Sequence, residues 1–153
     1  MVMGDLNSLT TEQPAKSSLQ SAILETCLDV TDLSRSREFY ANLFGYPVMQ
    51  SDDRFCAFDV NGGQVLLLFL RGSDPEGTVL PFGTIPPHGA SGSAHVGFSI
   101  PKGSLPAWRE RLLRQNIAVE SSFTWPRGGT SIYFRDPDGH LLELLTPGVW
   151  STY

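Results

Sequence analysis

Ser131-Ile-Tyr-Phe-Arg-Asp-Pro-Asp-Gly-His-Leu-Leu-Glu-Leu-Leu-Thr-Pro-Gly148 is the stretch that decides the fold. It reads as two strands joined by a turn at Asp136-Pro137-Asp138-Gly139. Proline presets φ at the second turn position, and glycine takes a positive φ where the strand restarts. The returning strand, Leu141-Leu142-Glu143-Leu144-Leu145, holds a single carboxylate among leucines. Such a carboxylate either faces water or is buried with a partner, because an unpaired buried charge is very costly. A metal ion is one such partner. His140, next to the turn, reads as a surface residue.

The hairpin has an echo upstream. Phe55-Cys-Ala-Phe-Asp-Val-Asn-Gly-Gly-Gln-Val-Leu-Leu-Leu-Phe-Leu-Arg71 repeats its layout at an offset of 76 residues, with Phe58 on Phe134, Gly63 on Gly139 and Leu67 on Glu143. Each hairpin is preceded by a helix, and each helix by a strand. The first copy reads as a strand over residues 23–30 and a helix over residues 35–44. Asp32 or Ser34 caps that helix, Gly45 ends it, and Pro47 blocks continuation. Strands follow near residues 48–51, 54–60 and 64–70. The second copy has a strand over residues 94–100 and a helix with Ser104 as N-cap. Trp108, Leu112 and Leu113 form its inner face, and Asn116 is its left-handed end. Strands follow near residues 119–122, 130–135 and 140–145. This predicts an α+β protein of two paired β-α-β-β-β modules, at residues 21–72 and 92–147.

Residues 73–91 form a connector dense in Gly and Pro, a length that suggests a lid over a pocket. Residues 1–20 read as a mobile N-terminal arm, and residues 148–153 as a tail in which Trp150 and Tyr153 pack. A net charge of −5 argues against a nucleic-acid partner. No apolar run reaches the roughly 18 residues that span a bilayer, and the start lacks the basic-then-apolar pattern of a signal peptide. A cytoplasmic protein is expected. Cys27 and Cys56 lie in strand-like runs and are expected as buried free thiols.

On a strand, alternate residues share a face. Glu25, Cys27 and Asp29 therefore share one side, and His95, Gly97 and Ser99 do so in the second copy. Small or polar residues on one face suggest a sheet left open there, as the lining of a cavity is. Glu25 and His95 occupy equivalent positions, and Glu143 lies on the last strand. One imidazole and two carboxylates suit Mn, Fe, Ni, Co or Zn, with positions left for substrate. The same residues also suit plainer roles, a hydrogen-bonded cavity histidine and exposed strand glutamates.

Three segments carry a resemblance: Val30-Thr-Asp-Leu-Ser-Arg-Ser-Arg-Glu-Phe-Tyr-Ala-Asn-Leu-Phe-Gly45, Ala94-His-Val-Gly-Phe98, and Tyr133-Phe-Arg-Asp-Pro-Asp-Gly-His-Leu-Leu-Glu-Leu-Leu145. With them the chain resembles the vicinal oxygen chelate superfamily of glyoxalase I, bleomycin-resistance proteins, fosfomycin-resistance enzymes and extradiol dioxygenases. The resemblance implies a half-barrel with a central pocket, and metal ligands at Glu25, Leu67, His95 and Glu143. Two departures stand out. Leu67 replaces the carboxylate of glyoxalase I-like sites, and Glu25 replaces the histidine of extradiol and fosfomycin-modifying sites.

The metal set that remains is Glu25, His95 and Glu143. Glu143 and His88 are the catalytic expectations. Trp125, Arg127, Tyr133 and Phe82 are the substrate contacts. The functional expectation is a divalent-metal-dependent isomerase, lyase or dioxygenase for a small vicinal-oxygen substrate, working as a homodimer. The alternative is a metal-free protein that sequesters a small molecule, as bleomycin-resistance proteins do.

Overall fold

The computed structural model describes residues 21–153; the expected arm of residues 1–20 lies outside the described residues. Ten strands and two α-helices follow in the order β1 (Glu25–Val30), α1 (Leu33–Phe44), β2 (Val48–Ser51), β3 (Phe55–Val60), β4 (Gln64–Leu70), β5 (Thr78–Leu80), β6 (Gly83–Ile85), β7 (His95–Ser99), α2 (Leu105–Arg114), β8 (Val119–Thr124), β9 (Thr130–Arg135) and β10 (Leu141–Leu145). They make two four-stranded sheets, ordered β1-β4-β3-β2 and β7-β10-β9-β8. In each, the last strand returns to lie parallel to the first. These are two β-α-β-β-β modules forming a half-barrel.

The internal repeat holds at the level of single ladder pairs. Phe58 pairs with Leu66 and Phe134 with Leu142. Cys27 pairs with Leu67 and Gly97 with Glu143. The bulges recur too, between Val48 and Gln50 in β2 and between Val119 and Ser121 in β8. Alternation explains the shared register. Leu66, Leu68, Leu142 and Leu144 all turn into the core together with Phe58, Phe134 and Ile132. A slip of one residue would put that set on the open side.

Local sequence sets the helix ends. Asp32 accepts the Arg35 N–H as N-cap, and Gly45 ends α1 at φ 72°. The inner face of α1 is Ser36, Tyr40 and Leu43. Phe44 packs on Phe98 at 4.4 Å and on Trp108 at 5.6 Å, joining the modules in one core. Arg111 and Gln115 both donate to the Asn42 carbonyl in the last turn of α1, where helix carbonyls lack partners.

Several expectations need correction. Ser104 is no side-chain cap: its backbone is helical and its hydroxyl donates to the Pro101 carbonyl, because a 3-10 turn at Lys102–Ser104 runs straight into α2. Leu113 is exposed, being off the stripe that Leu112 centres. Cys27 is exposed on the open side of an edge strand, while Cys56 is buried. The connector contains a hairpin, β5–β6, with Val79 and Phe82 outward. Trp150 is largely exposed; Tyr153 donates its hydroxyl to the Ile100 carbonyl. His140 is buried, 2% exposed, in phase with Leu142 and Leu144.

Candidate functional site

The open face of the second sheet collects the chemistry. His95 on β7 and Glu143 on β10 are on strands in direct ladder contact. The His95 Nε2 stands 3.2 Å from Glu143 Oε2. Glu143 is 8% exposed, while about half of the His95 side chain meets solvent. The carboxylate is therefore nearly dry, and the imidazole beside it is its opening to water.

Gly97 is the ladder partner of Glu143 on β7. A Cβ there would stand 3.0 Å from Leu145 Cδ2, a tight approach, and 3.7 Å from Glu143 Oε2, an ordinary contact. Tyr133 is the ladder partner of Glu143 across β9, and its ring centroid is 6.1 Å from that of His95. Burial and then the adjacent Glu143 carboxylate push the Tyr133 pKa up, with the Ser131 hydroxyl pulling part of the way back. Its phenol therefore keeps its proton at neutral pH. Trp125 is fixed by its indole N–H, which donates to Ser131 Oγ at 2.8 Å. Phe123 lies 5.0 Å from Trp125 and 5.9 Å from Tyr133, completing an aromatic row. Arg135, on the same face, is engaged by Glu120 at 3.0 Å and by the Gly139 carbonyl.

The other expected site residues stand elsewhere. Glu25 is exposed on β1 of the first sheet, paired with Val65. Among the described residues no three His, Cys, Asp or Glu side chains come together as a metal-holding group, so one chain does not bring Glu25 to His95 and Glu143. His88 packs edge-on against Phe69 at 4.6 Å. It borders a cavity of 270 Å³ with Asp29, Arg71 and Ala90, and that cavity includes neither His95 nor Glu143. Phe82 is at the tip of the connector hairpin, 88% exposed. Arg127 is exposed in the β8–β9 turn. A cleft of 560 Å³ reaches the pair's surroundings through Gly97 and Leu145, and is otherwise lined by residues such as Tyr46, Gln64 and Trp150.

Ser131 and Phe123 are site neighbours that sequence reasoning does not single out, whereas the strand pattern places Gly97 beside His95 on the cavity-lining face. Ser131 shares strand parity with Tyr133, and that was the available signal.

Comparison with known proteins agrees with this architecture. The family model described as the Glyoxalase/Bleomycin resistance protein/Dioxygenase superfamily matches residues 22–144. A metallothiol transferase FosB of Bacillus licheniformis is 31% identical over 122 residues, spanning 79% of this chain and 72% of that protein. A catechol-2,3-dioxygenase of Bacillus subtilis is 28% identical over 127 residues, spanning 82% of this chain but 41% of that protein. The crystal structure of a lactoylglutathione lyase from Agrobacterium tumefaciens superimposes with a TM-score of 0.78 at 33% identity, covering 87% of this chain and 98% of that one.

Proposed function

The chain belongs to the glyoxalase/bleomycin resistance protein/dioxygenase superfamily, and from that premise we propose that it is a divalent-metal-dependent enzyme acting on a small substrate with vicinal oxygens, by isomerase, lyase or dioxygenase chemistry. The observation that carries this reading is the nearly buried Glu143 with the His95 imidazole 3.2 Å away. A carboxylate kept among leucines with a half-exposed histidine as its partner is poor structural design, since an apolar residue of similar size would serve the sheet as well. It is good design for gripping a ligand.

The donor chemistry fits a divalent ion. An imidazole nitrogen and a carboxylate oxygen suit Mn, Fe, Co, Ni or Zn. Two protein donors fall short of the three usual in a catalytic zinc site. In this reading Glu25 is the third, supplied by the first module of a second copy in a homodimer. A metal held there would supply Lewis-acid polarisation of a substrate oxygen.

The protein's own groups do the rest. Tyr133, protonated at neutral pH, donates to a substrate oxygen. Trp125, held by Ser131, and Phe123 form a wall that takes the apolar part of the substrate and excludes water from it. Glu143 acts as ligand, and the reading gives no step to His88, Arg127 or Phe82.

A second reading, metal-free sequestration of a small molecule, is favoured by the aromatic row Phe123, Trp125 and Tyr133. Elemental analysis of protein purified without chelator or nickel affinity separates the two. Near-stoichiometric metal that is lost in His95→Ala supports the enzyme. No native metal, and none taken up from Mn, Fe, Ni or Zn, removes it; a ligand-induced rise in Tm without turnover then supports sequestration.

A further inference from the structure

β1 and β7 are both edge strands, and no main-chain ladder joins them. Among the described residues, one side chain is hydrogen-bonded to both sides of the gap. His140 accepts the Ala94 N–H at Nδ1, 2.9 Å, and its Nε2 lies 2.9 Å from the Asp29 carbonyl. A nitrogen that accepts carries no proton, so the proton is on Nε2 and is donated to Asp29. The ring is thus neutral, in one tautomer, and offers one acceptor and one donor. Those are the groups a facing strand would have offered.

The rest of the β9–β10 turn anchors that ring in the first module. Asp136 Oδ1 accepts the His140 backbone N–H, and its Oδ2 accepts the Tyr40 hydroxyl from α1 at 2.8 Å. Asp138 accepts Thr31 and Ser36. Asp29, in turn, takes the Ala90 N–H on its carboxylate at 2.6 Å, so the end of the connector hangs from the same point. Ala94 is the residue immediately before His95.

We propose that His140 is a positioning residue for the His95–Glu143 pair: its neutral ring stands in for a missing ladder between β1 and β7 and so sets where His95 stands. The inference rests on that pair being the functional site. It concerns where His95 is held, which is measured without any metal or substrate.

The test is nuclear magnetic resonance on the full chain, with His140→Phe and His140→Gln. Glutamine retains a donor and an acceptor; phenylalanine retains the bulk alone. In the wild type, long-range nitrogen–proton spectra are expected to show a bare Nδ1 and a protonated Nε2. In His140→Phe, the Ala94 amide is expected to exchange about tenfold faster or more, and the ring contact between His95 and Tyr133 to be lost. His140→Gln is expected to restore both. A proton on Nδ1 overturns the proposal. So does an unchanged His95–Tyr133 contact in His140→Phe while Ala94 exchanges freely. Should His140→Phe not fold, the wild-type ring spectrum and the His95–Tyr133 contact in His140→Gln decide in its place. Metal content measured on the same samples keeps the questions apart: a metal-free wild type removes the enzyme reading and leaves the His140 result standing.

Discussion

The two sheets share one register and hold different chemistry. Where the second carries His95, Gly97, Tyr133 and Glu143 on its open face, the first carries Glu25, Cys27, Ala57 and Leu67 at the matching positions. Their inward faces match at Phe58 and Phe134, Leu66 and Leu142, and Leu68 and Leu144, and stay apolar elsewhere. The inward set fixes the register, because one slipped residue would expose it. The outward set is thereby freed from folding duty, and in the second sheet it has become polar and crowded. The first sheet is apolar on β4, at Val65, Leu67 and Phe69, and acidic along β1, at Glu25 and Asp29.

Breaking the match on the inward side should give the largest effects, and equal ones. Phe58 and Phe134 are equivalent and fully buried. Alanine at either is expected to cost about 3–5 kcal/mol by urea unfolding, through lost transfer energy and a residual cavity. Similar costs in a single transition would show that the modules fold as one unit. A cost confined to one of them, or two separate transitions, would mean that the shared core does not couple them.

A smaller effect tests the carboxylates of the β9–β10 turn, Asp136 and Asp138, where the first module has Val60 and Gly62. Burial alone would raise the Asp138 carboxyl, but hydrogen bonds from Thr31 and Ser36 and the nearby Arg35 guanidinium outweigh it, holding the pKa below the usual carboxylate range. A folded pKa below the unfolded value stabilises at pH above the ordinary carboxylate pKa of about 4, and that contribution disappears as pH falls through the lowered folded value. Tm should therefore drop more steeply on acidification in the wild type than in Asp138→Asn. Parallel profiles would show that Asp138 is no clasp.

The fold was legible because punctuation and periodicity agreed. Turn residues recur 76 apart, and alternation marks both inward faces. Glu143 and His95 were legible as polar intrusions in apolar strands. Other features were hidden for physical reasons. His140 follows a turn, where exposure is the norm, yet its parity with Leu142 and Leu144 points inward. Leu113 is next to the buried Leu112, but sequence neighbours on a helix face different ways. The β5–β6 strands are three residues each, separated by Pro81 and Phe82, too short for alternation to speak. Where Glu25 stands relative to His95 depends on how modules meet, which no strand pattern encodes.

The comparison is tested most directly by giving the second sheet the residue of the first. In Glu143→Leu and the wild type, bound metal is measured on protein never exposed to chelator or nickel affinity, and unfolding free energy on both proteins after metal is stripped, because bound metal itself stabilises the fold. Glu143 as a ligand residue predicts stability unchanged within about 1 kcal/mol, or higher, because leucine needs no partner in that apolar strand. It also predicts that wild-type metal, near one equivalent per chain, is lost. A strongly destabilised variant, from a wild type holding no metal, would contradict the account: Glu143 would then be a structural partner of His95, and the open face would not be a metal site.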